Sequence, residues 1–292
     1  MKILILHGSK PSVNSIEMEE AAQQMGHKVL AGPTNDVSSL IGQDGSRFWL
    51  GKEEVTDFDL CFLRSFGPGS TEQVTRRISL MEHMEVAGVK VMNSTYPFRR
   101  SRDKYATQYT LHAADIPIPT TFTTESLARA YEMTEEMLPV IFKPILSSMG
   151  RGSMKFNDTD LAFNAYKMLD RLYAPMIIQG YIQTPGRDIR VFIIGDECVG
   201  AVYKYIPEGQ WKSNLAQGGK MVEEEMNPEI IELGFKAARA MGLDYCGVDI
   251  LESPEGPVVL EVNAAPGWQG LKEATSKEIA ELIVRYGVEQ VE

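Results

Sequence analysis

The side chains best suited to chemistry lie between residues 247 and 271, in GVDILESPEGPVVLEVNAAPGWQGL. Apolar runs at 248–251 and 258–262 flank Ser253-Pro254-Glu255-Gly256. Proline fixes φ and glycine permits the exit, so the pattern predicts a hairpin. Glu261 and Asn263 are two residues apart, so a period-two strand turns both to one face and sends Leu260 and Val262 to the other. With a loop of odd length, Asp249 lies opposite Glu261 and joins that face. Two carboxylates in an apolar hairpin repel each other and are costly to desolvate unless a hard cation sits between them. Oxygen donors without Cys or His select magnesium over zinc. The alternative is a solvated face that happens to carry acids. The abrupt strand end at Ala264-Ala265-Pro266-Gly267, with a helix expected from near Thr275, weighs against it.

Further candidates lie upstream. The apolar run 140–142 ends in Lys143-Pro144, and a lysine there must find an anion or reach solvent. Ser147-Ser148-Met149-Gly150-Arg151-Gly152-Ser153 follows, a loop of small residues whose N–H groups can approach phosphates, although such loops also simply turn. Ser101-Arg102-Asp103-Lys104 opens a helical pattern, and a helix N-terminus favours phosphate; a lone surface lysine is the other account of Lys104. The segment 186–196 alternates charged and apolar residues and turns into 199–205, a second hairpin with Asp188 and Arg190 on one face. Those two could serve a ligand or pair with each other. Lys212-Ser213-Asn214, then Gly218-Gly219-Lys220, form a polar segment. Nearer the amino terminus, Ser9 and Arg64 fall at the carboxyl ends of strands, where ligands of parallel sheets gather. The planar fork of Arg64 suits a substrate carboxylate; otherwise it is a surface arginine.

The elements that position these groups alternate. Strands at 3–6, 29–31, 60–63 and 89–92, with helices at 14–25 and 72–87, predict a small, mostly parallel sheet covered by helices. Residues 32–54 read as a polar excursion. Helices are expected at 159–172 and from Pro228 to about Met241, the latter with proline in its first turn and Gly242 past its end. A last helix is expected behind a capping box, Thr275-x-x-Glu278, with Ile279, Leu282, Ile283 and Tyr286 as its core stripe. His7-Gly8-Ser9 matches neither the dinucleotide nor the Walker pattern.

At 292 residues the chain has material for two or three lobes, and 43% hydrophobic with 24% charged residues is ordinary for a soluble globular enzyme. A net charge of −11 argues against nucleic-acid or anionic-membrane partners. No apolar run reaches transmembrane length, and the first residues are too short an apolar run for a signal peptide. Cys61, Cys198 and Cys246 lack metal-ligand spacing and read as buried thiols of a cytoplasmic protein.

The string D-I-L followed by E-V-N-x-x-P-G, together with G-R-D-I-R-V-F at 186–192, the Asp103-Lys104 pair, and the strand, Lys143, Pro, glycine-loop order, resembles the RimK-like ATP-grasp amino-acid ligases. The resemblance covers about residues 93–286. It implies an α/β ATP-grasp fold with an amino-terminal parallel-sheet domain (1–95), a central subdomain (96–182) and a carboxyl-terminal subdomain with the metal site (183–292). It implies that ATP contacts Lys104, Lys143, Asp188, Lys212, Ser213 and Asn214, with adenine read by the backbone of Gln179, Gly180, Tyr181 and Ile182. Gly180 stands where an acidic residue is more usual. Asp249, Glu261 and Asn263 would hold magnesium or manganese, two ions in all, and Arg190 with Lys143 would act at the acyl-phosphate end. Relatives often carry arginine at the Lys212 position, so charge is kept there without the planar contact.

The implied reaction is ADP-forming addition of L-glutamate to an acceptor carboxylate. Acceptors in the family include a ribosomal protein tail, a deazaflavin coenzyme and tetrahydromethanopterin, and the Gly267-Trp268-Gln269-Gly270-Leu271 ending is similar to the archaeal pterin-modifying branch. A D-alanine-D-alanine-type ligase pairs its metal residues differently. A non-catalytic nucleotide-binding protein would not need Lys143, Arg190, Asp249, Glu261 and Asn263 together. Family members are often homo-oligomers.

Overall fold

The computed structural model describes residues 1–146, 150–213 and 219–291. The amino-terminal region runs β1 (Lys2–His7), α1 (Val13–Gln24), β2 (Lys28–Pro33), β3 (Val37–Gly42), β4 (Gly45–Leu50), β5 (Glu53–Glu54), β6 (Leu60–Leu63), α2 (Thr71–Val86) and β7 (Lys90–Met92). Next come α3 (Thr95–Arg102), α4 (Lys104–Ala113), β8 (Thr121–Thr124), α5 (Leu127–Met137), β9 (Val140–Lys143), β10 (Met154–Phe156), α6 (Thr159–Asp170) and β11 (Met176–Gly180). The last part holds β12 (Arg187–Ile194), β13 (Glu197–Tyr205), β14 (Lys220–Val222), α7 (Pro228–Met241), β15 (Tyr245–Ser253), β16 (Gly256–Asn263), α8 (Gln269–Thr275) and α9 (Ile279–Glu289).

The first sheet has the order β2-β1-β6-β7, and its described pairings are parallel, as the alternation predicts. The expected polar excursion at 32–54 is instead largely a meander, β3-β4-β5. Its strands are marked by Phe48 and Leu50, whose side chains are buried while Leu40 and Ile41 are exposed. The one-sided burial explains why composition alone reads it as loop. Helix α3 was also not anticipated; it precedes α4, which starts at Lys104 with Asp103 as N-cap, its carboxylate accepting from the N–H groups of Tyr105 and Ala106.

The central sheet has the order β10-β9-β11-β8 and the last sheet β14-β13-β12-β15-β16. Helix α7 lies on the last sheet because Gly234 admits Val191 and Ile193; a Cβ there would meet Val191 at 2.9 Å. Gly242 ends α7 in the left-handed region at φ 68°. The capping box expected at Thr275-x-x-Glu278 does not form. Thr275 ends α8, where its hydroxyl donates to the Leu271 carbonyl, and Glu278 accepts from Lys272 instead. Helix α9 begins at Ile279 without a side-chain cap.

Two cores join the amino-terminal and carboxyl-terminal regions. One packs Leu4 and Leu6 with Val191, Val248 and Val262; the other packs Ile3, Ile5 and Phe62 with Phe192, Trp268 and Ile283. The central sheet and its helices have a smaller core of their own, built on Ala130, Phe142, Tyr166 and Ile178. Among the described residues no helix is long and apolar enough to cross a membrane.

Candidate active site

The hairpin β15–β16 turns at Ser253–Gly256 and pairs Ile250 with Val259, a register that would place Leu260 opposite Asp249. A bulge between Asp249 and Ile250 shifts the pairing, so that Asp249 faces Glu261 and Gly247 faces Asn263. Asn263 Nδ2 lies 3.2 Å from Glu261 Oε1 and 3.5 Å from Asp249 Oδ2, so the three predicted side chains converge. Among the described residues no three His, Cys, Asp or Glu side chains are grouped to hold a metal. The donor set is thus two carboxylates plus an amide, all capable of offering oxygen. That chemistry fits a hard divalent cation.

The charge of Asp249, 3% exposed, is balanced from the neighbouring strands. Arg190, opposite it on β12, donates from Nε and a terminal nitrogen at 2.9 and 2.6 Å, and Lys204 Nζ lies at 2.9 Å. Burial opposes ionisation of Asp249, but these two cations outweigh it and hold the carboxyl well below the usual range. The cross-strand register also decides the pairing of Asp188. It faces Lys204 rather than Arg190, accepts from the Ser213 hydroxyl, and lies 3.9 Å from Lys204 Nζ. Burial raises its pKa against the pull of Lys204. The mutual Asp188–Arg190 pair does not form.

The other predicted residues spread around this centre. Lys143 ends β9, and burial pushes its pKa down to about 8 despite the attraction of Glu261. Burial also lowers Lys104, with Glu261 and Asp103 opposing. Lys212 Nζ donates to the carbonyls of Gly150 and Ser153, both at 2.9 Å, and so ties down the described part of the glycine loop. Gln179 donates to Thr121 Oγ1, while the N–H groups of Gly180 and Tyr181 are given to the carbonyls of Thr120 and Pro139. Those two N–H groups are therefore not available to adenine, and Ile182 is next in line. Asn214 and residues 147–149 lie outside the described residues. Ser9 is exposed, between Gly8 and Lys10.

Arg64 is not a surface arginine. It is 9% exposed, donates to the Tyr245 hydroxyl at 3.1 Å and the Pro266 carbonyl at 2.8 Å, and lies over the ring of Trp268.

Three cavities meet at Glu261. A narrow one of about 120 Å³ runs from Gln179, Gly180, Tyr181 and Ile182 past Lys212 and Ser213 to Asp249. A chamber of about 530 Å³ opens beside His7, Gly8, Lys10, Arg190 and Gln269, and another of about 380 Å³ lies between α3, α4 and β16.

Sequence reasoning missed Lys204, Asn93 and Gln108. Lys204 had a signal, since the 187–205 hairpin register sets it opposite Asp188. Asn93 is fully buried and donates to the carbonyls of Tyr245 and Ala264 while its oxygen accepts from the N–H groups of Asp244 and Tyr245. Gln108 donates to the Leu260 carbonyl at 2.9 Å, beside the bulge. Neither has a local sequence signal, because both act on backbone more than 150 residues away.

The chain is similar to known proteins along most of its length. The chain is 29% identical to a probable alpha-L-glutamate ligase of Legionella pneumophila, covering 98% of this chain and 95% of that one. It is 29% identical to the tetrahydromethanopterin:alpha-L-glutamate ligase of Methanosarcina acetivorans, covering 86% of each. The fold matches that of the ATP-grasp ligase PsnB complexed with a phosphomimetic variant of its minimal precursor, Mg and ADP, at TM-score 0.78 and 21% identity over 99% of this chain and 98% of that one. Residues 101–286 match the RimK-like ATP-grasp domain. The chain belongs to the RimK-like ATP-grasp family and is an ATP-dependent ligase.

Proposed function

We propose that this ligase joins the amine of L-glutamate to an acceptor carboxylate through an acyl phosphate. The observation that carries the reading is the convergence of Asp249, Glu261 and Asn263 with Arg190 and Lys204 where three cavities meet. ATP would lie in the narrow cavity, its adenine beside Gln179, Gly180, Tyr181 and Ile182, with Lys104, Lys143, Asp188, Lys212 and Ser213 along it; Asn214, outside the described residues, would be a further contact. Two magnesium or manganese ions held by Asp249, Glu261 and Asn263 would neutralise charge on the phosphates.

An acceptor carboxylate oxygen attacks the γ-phosphorus, and the bond to the ADP oxygen breaks. The amine then attacks the acyl carbon; the C–N bond forms, phosphate leaves with the electrons of the C–O bond, and the nitrogen gives up a proton. Arg190 and Lys143 counter the charge that builds on the transferred group, which is how phosphoryl transfer is generally catalysed. Arg64 and Ser9, at strand ends, meet substrate carboxylate.

Tetrahydromethanopterin is the acceptor we favour; the likeness to the Methanosarcina acetivorans enzyme and the 267–271 ending support it. The test is ADP release with ATP, magnesium and L-glutamate over tetrahydromethanopterin, the deazaflavin coenzyme and a glutamate-ended peptide, with product masses. One acceptor gaining a glutamate mass with stoichiometric ADP is the expected result. ADP release with a different amine donor, and none with glutamate, would overturn the donor assignment.

A further inference from the structure

The chamber of about 380 Å³ contains two buried groups whose bonding is incomplete. Gln108 is 5% exposed, and with its Nε2 given to the Leu260 carbonyl its Oε1 is buried without a donor. Arg64 uses one terminal nitrogen on Tyr245 and the other on Pro266, and its Nε is buried without an acceptor. Among the described residues no carboxylate pairs with Arg64. An orphan acceptor and an uncompensated cation in one cavity are each costly, and water could satisfy the first without balancing the second. Arg102 stands exposed at the same wall, while Lys104 and Lys143 add positive charge and Glu261 is the one carboxylate among the lining residues.

A ligand that completes this chamber carries an N–H donor for Gln108, a carboxylate for Arg64 and a second negative group toward Arg102. We infer that the chamber between α3, α4 and β16 binds the amine substrate and selects an α-amino acid with a second carboxylate. The inference rests on the ligase reading above and divides its two acids between the two chambers. The larger one, open beside Lys10 and Gln269, is left for the bulkier acceptor. Both chambers include Arg64, Ser65, Glu261 and Asn263, so an amine in one faces an acid activated in the other.

Calorimetric titration of the nucleotide-free protein with L-glutamate, L-glutamine and glutarate tests this. L-Glutamate should bind at least about tenfold more tightly than either analogue, since each lacks one charged contact. Arg102→Gln should erase the preference over glutamine, and Gln108→Met the preference over glutarate, with Mg-ATP affinity unchanged in Arg102→Gln. Arg102 is exposed, so that variant does not threaten folding. A preference that survives either substitution, displacement of glutamate by ATP, or no glutamate binding with or without a non-hydrolysable ATP would overturn the assignment. Turnover separates the two readings. Glutamate-dependent ADP release that ignores Arg102 sinks the chamber and spares the ligase, whereas Arg102-dependent glutamate binding without turnover does the reverse.

Discussion

The carboxyl-terminal sheet and the central sheet both contribute to the site, but they are held in different ways. The former shares two cores with the amino-terminal sheet, and its hairpin is gripped from outside at three carbonyls, Leu260, Ala264 and Pro266, by Gln108, Asn93 and Arg64. The latter packs on a core of its own and brings Lys143 and the described part of the glycine loop, 150–153. Asp249, Glu261, Asn263, Arg190 and Lys204 are thus fixed before any ligand arrives. Lys143 sits on a body with few packing ties to them. An ATP-grasping enzyme needs that division, because charge-stabilising groups must be preorganised while the cover must open.

The largest effects should separate the two carboxylates of the hairpin, Asp249 and Glu261. Asp249→Asn leaves largely buried Arg190 without its anion and Lys204 with only Asp188 at 3.9 Å, so it should cost about 3–5 kcal/mol in urea unfolding as well as activity. Glu261→Gln should lower kcat by at least roughly 100-fold, because a charged oxygen donor is lost, yet leave stability within about 1 kcal/mol. Half-buried Glu261 has no ion pair among the described residues. Equal stability losses would show that the hairpin is not held by the Arg190–Asp249–Lys204 cluster.

Next in size is a core substitution. Ile178 is fully buried in the central core, and Ile178→Ala should cost about 2–5 kcal/mol. Hydrogen exchange should show the loss of protection confined to about residues 120–180. Loss spread evenly over β12 and β15 would erase the contrast between the two bodies.

How much of this could be read from the chain depends on the range of the contact. Strands at 60–63 and 140–143, helix α7 and the meeting of Asp249 with Glu261 follow from periodicity and turn chemistry within about twenty residues. Even there, the pairing needed a bulge that the pattern does not announce. The meander at 37–54 was hidden because its exposed face carries Ile41 and Leu40 beside serines and glycines. Arg64 looked like a strand-end fork and is indeed at a strand end, but its contacts with Tyr245 and Pro266 cross 181 and 202 residues. No local rule reaches that far.

A smaller effect belongs to Lys143. Burial lowers its pKa to about 8 in the ligand-free protein, so it is charged below that value and neutral above it. An anion needs the charged form, so KM for ATP should be flat up to pH about 8 and then rise about tenfold per pH unit. Stability moves the other way. Between about 8 and the ordinary 10.5 the unfolded chain holds a proton that the folded chain has released, so this group's contribution to stability grows with pH. Lys143→Arg should remove the break in KM, which a pH series on both proteins would show.

The smallest expected change is at Lys212, and it bears most directly on which body the residue serves. Its ammonium is spent on the carbonyls of Gly150 and Ser153, so it fastens the carboxyl-terminal segment to the loop of the central body. Two partly buried hydrogen bonds from a charged donor, which water replaces in large part when they break, are worth about 1–2 kcal/mol net. Lys212→Met should therefore raise KM for ATP roughly threefold to tenfold through a looser cover while kcat falls by less than that. A fall in kcat of roughly 100-fold with KM unchanged would mean that the ammonium leaves the carbonyls for the reacting phosphate, and Lys212 would then belong with Arg190 rather than with the loop.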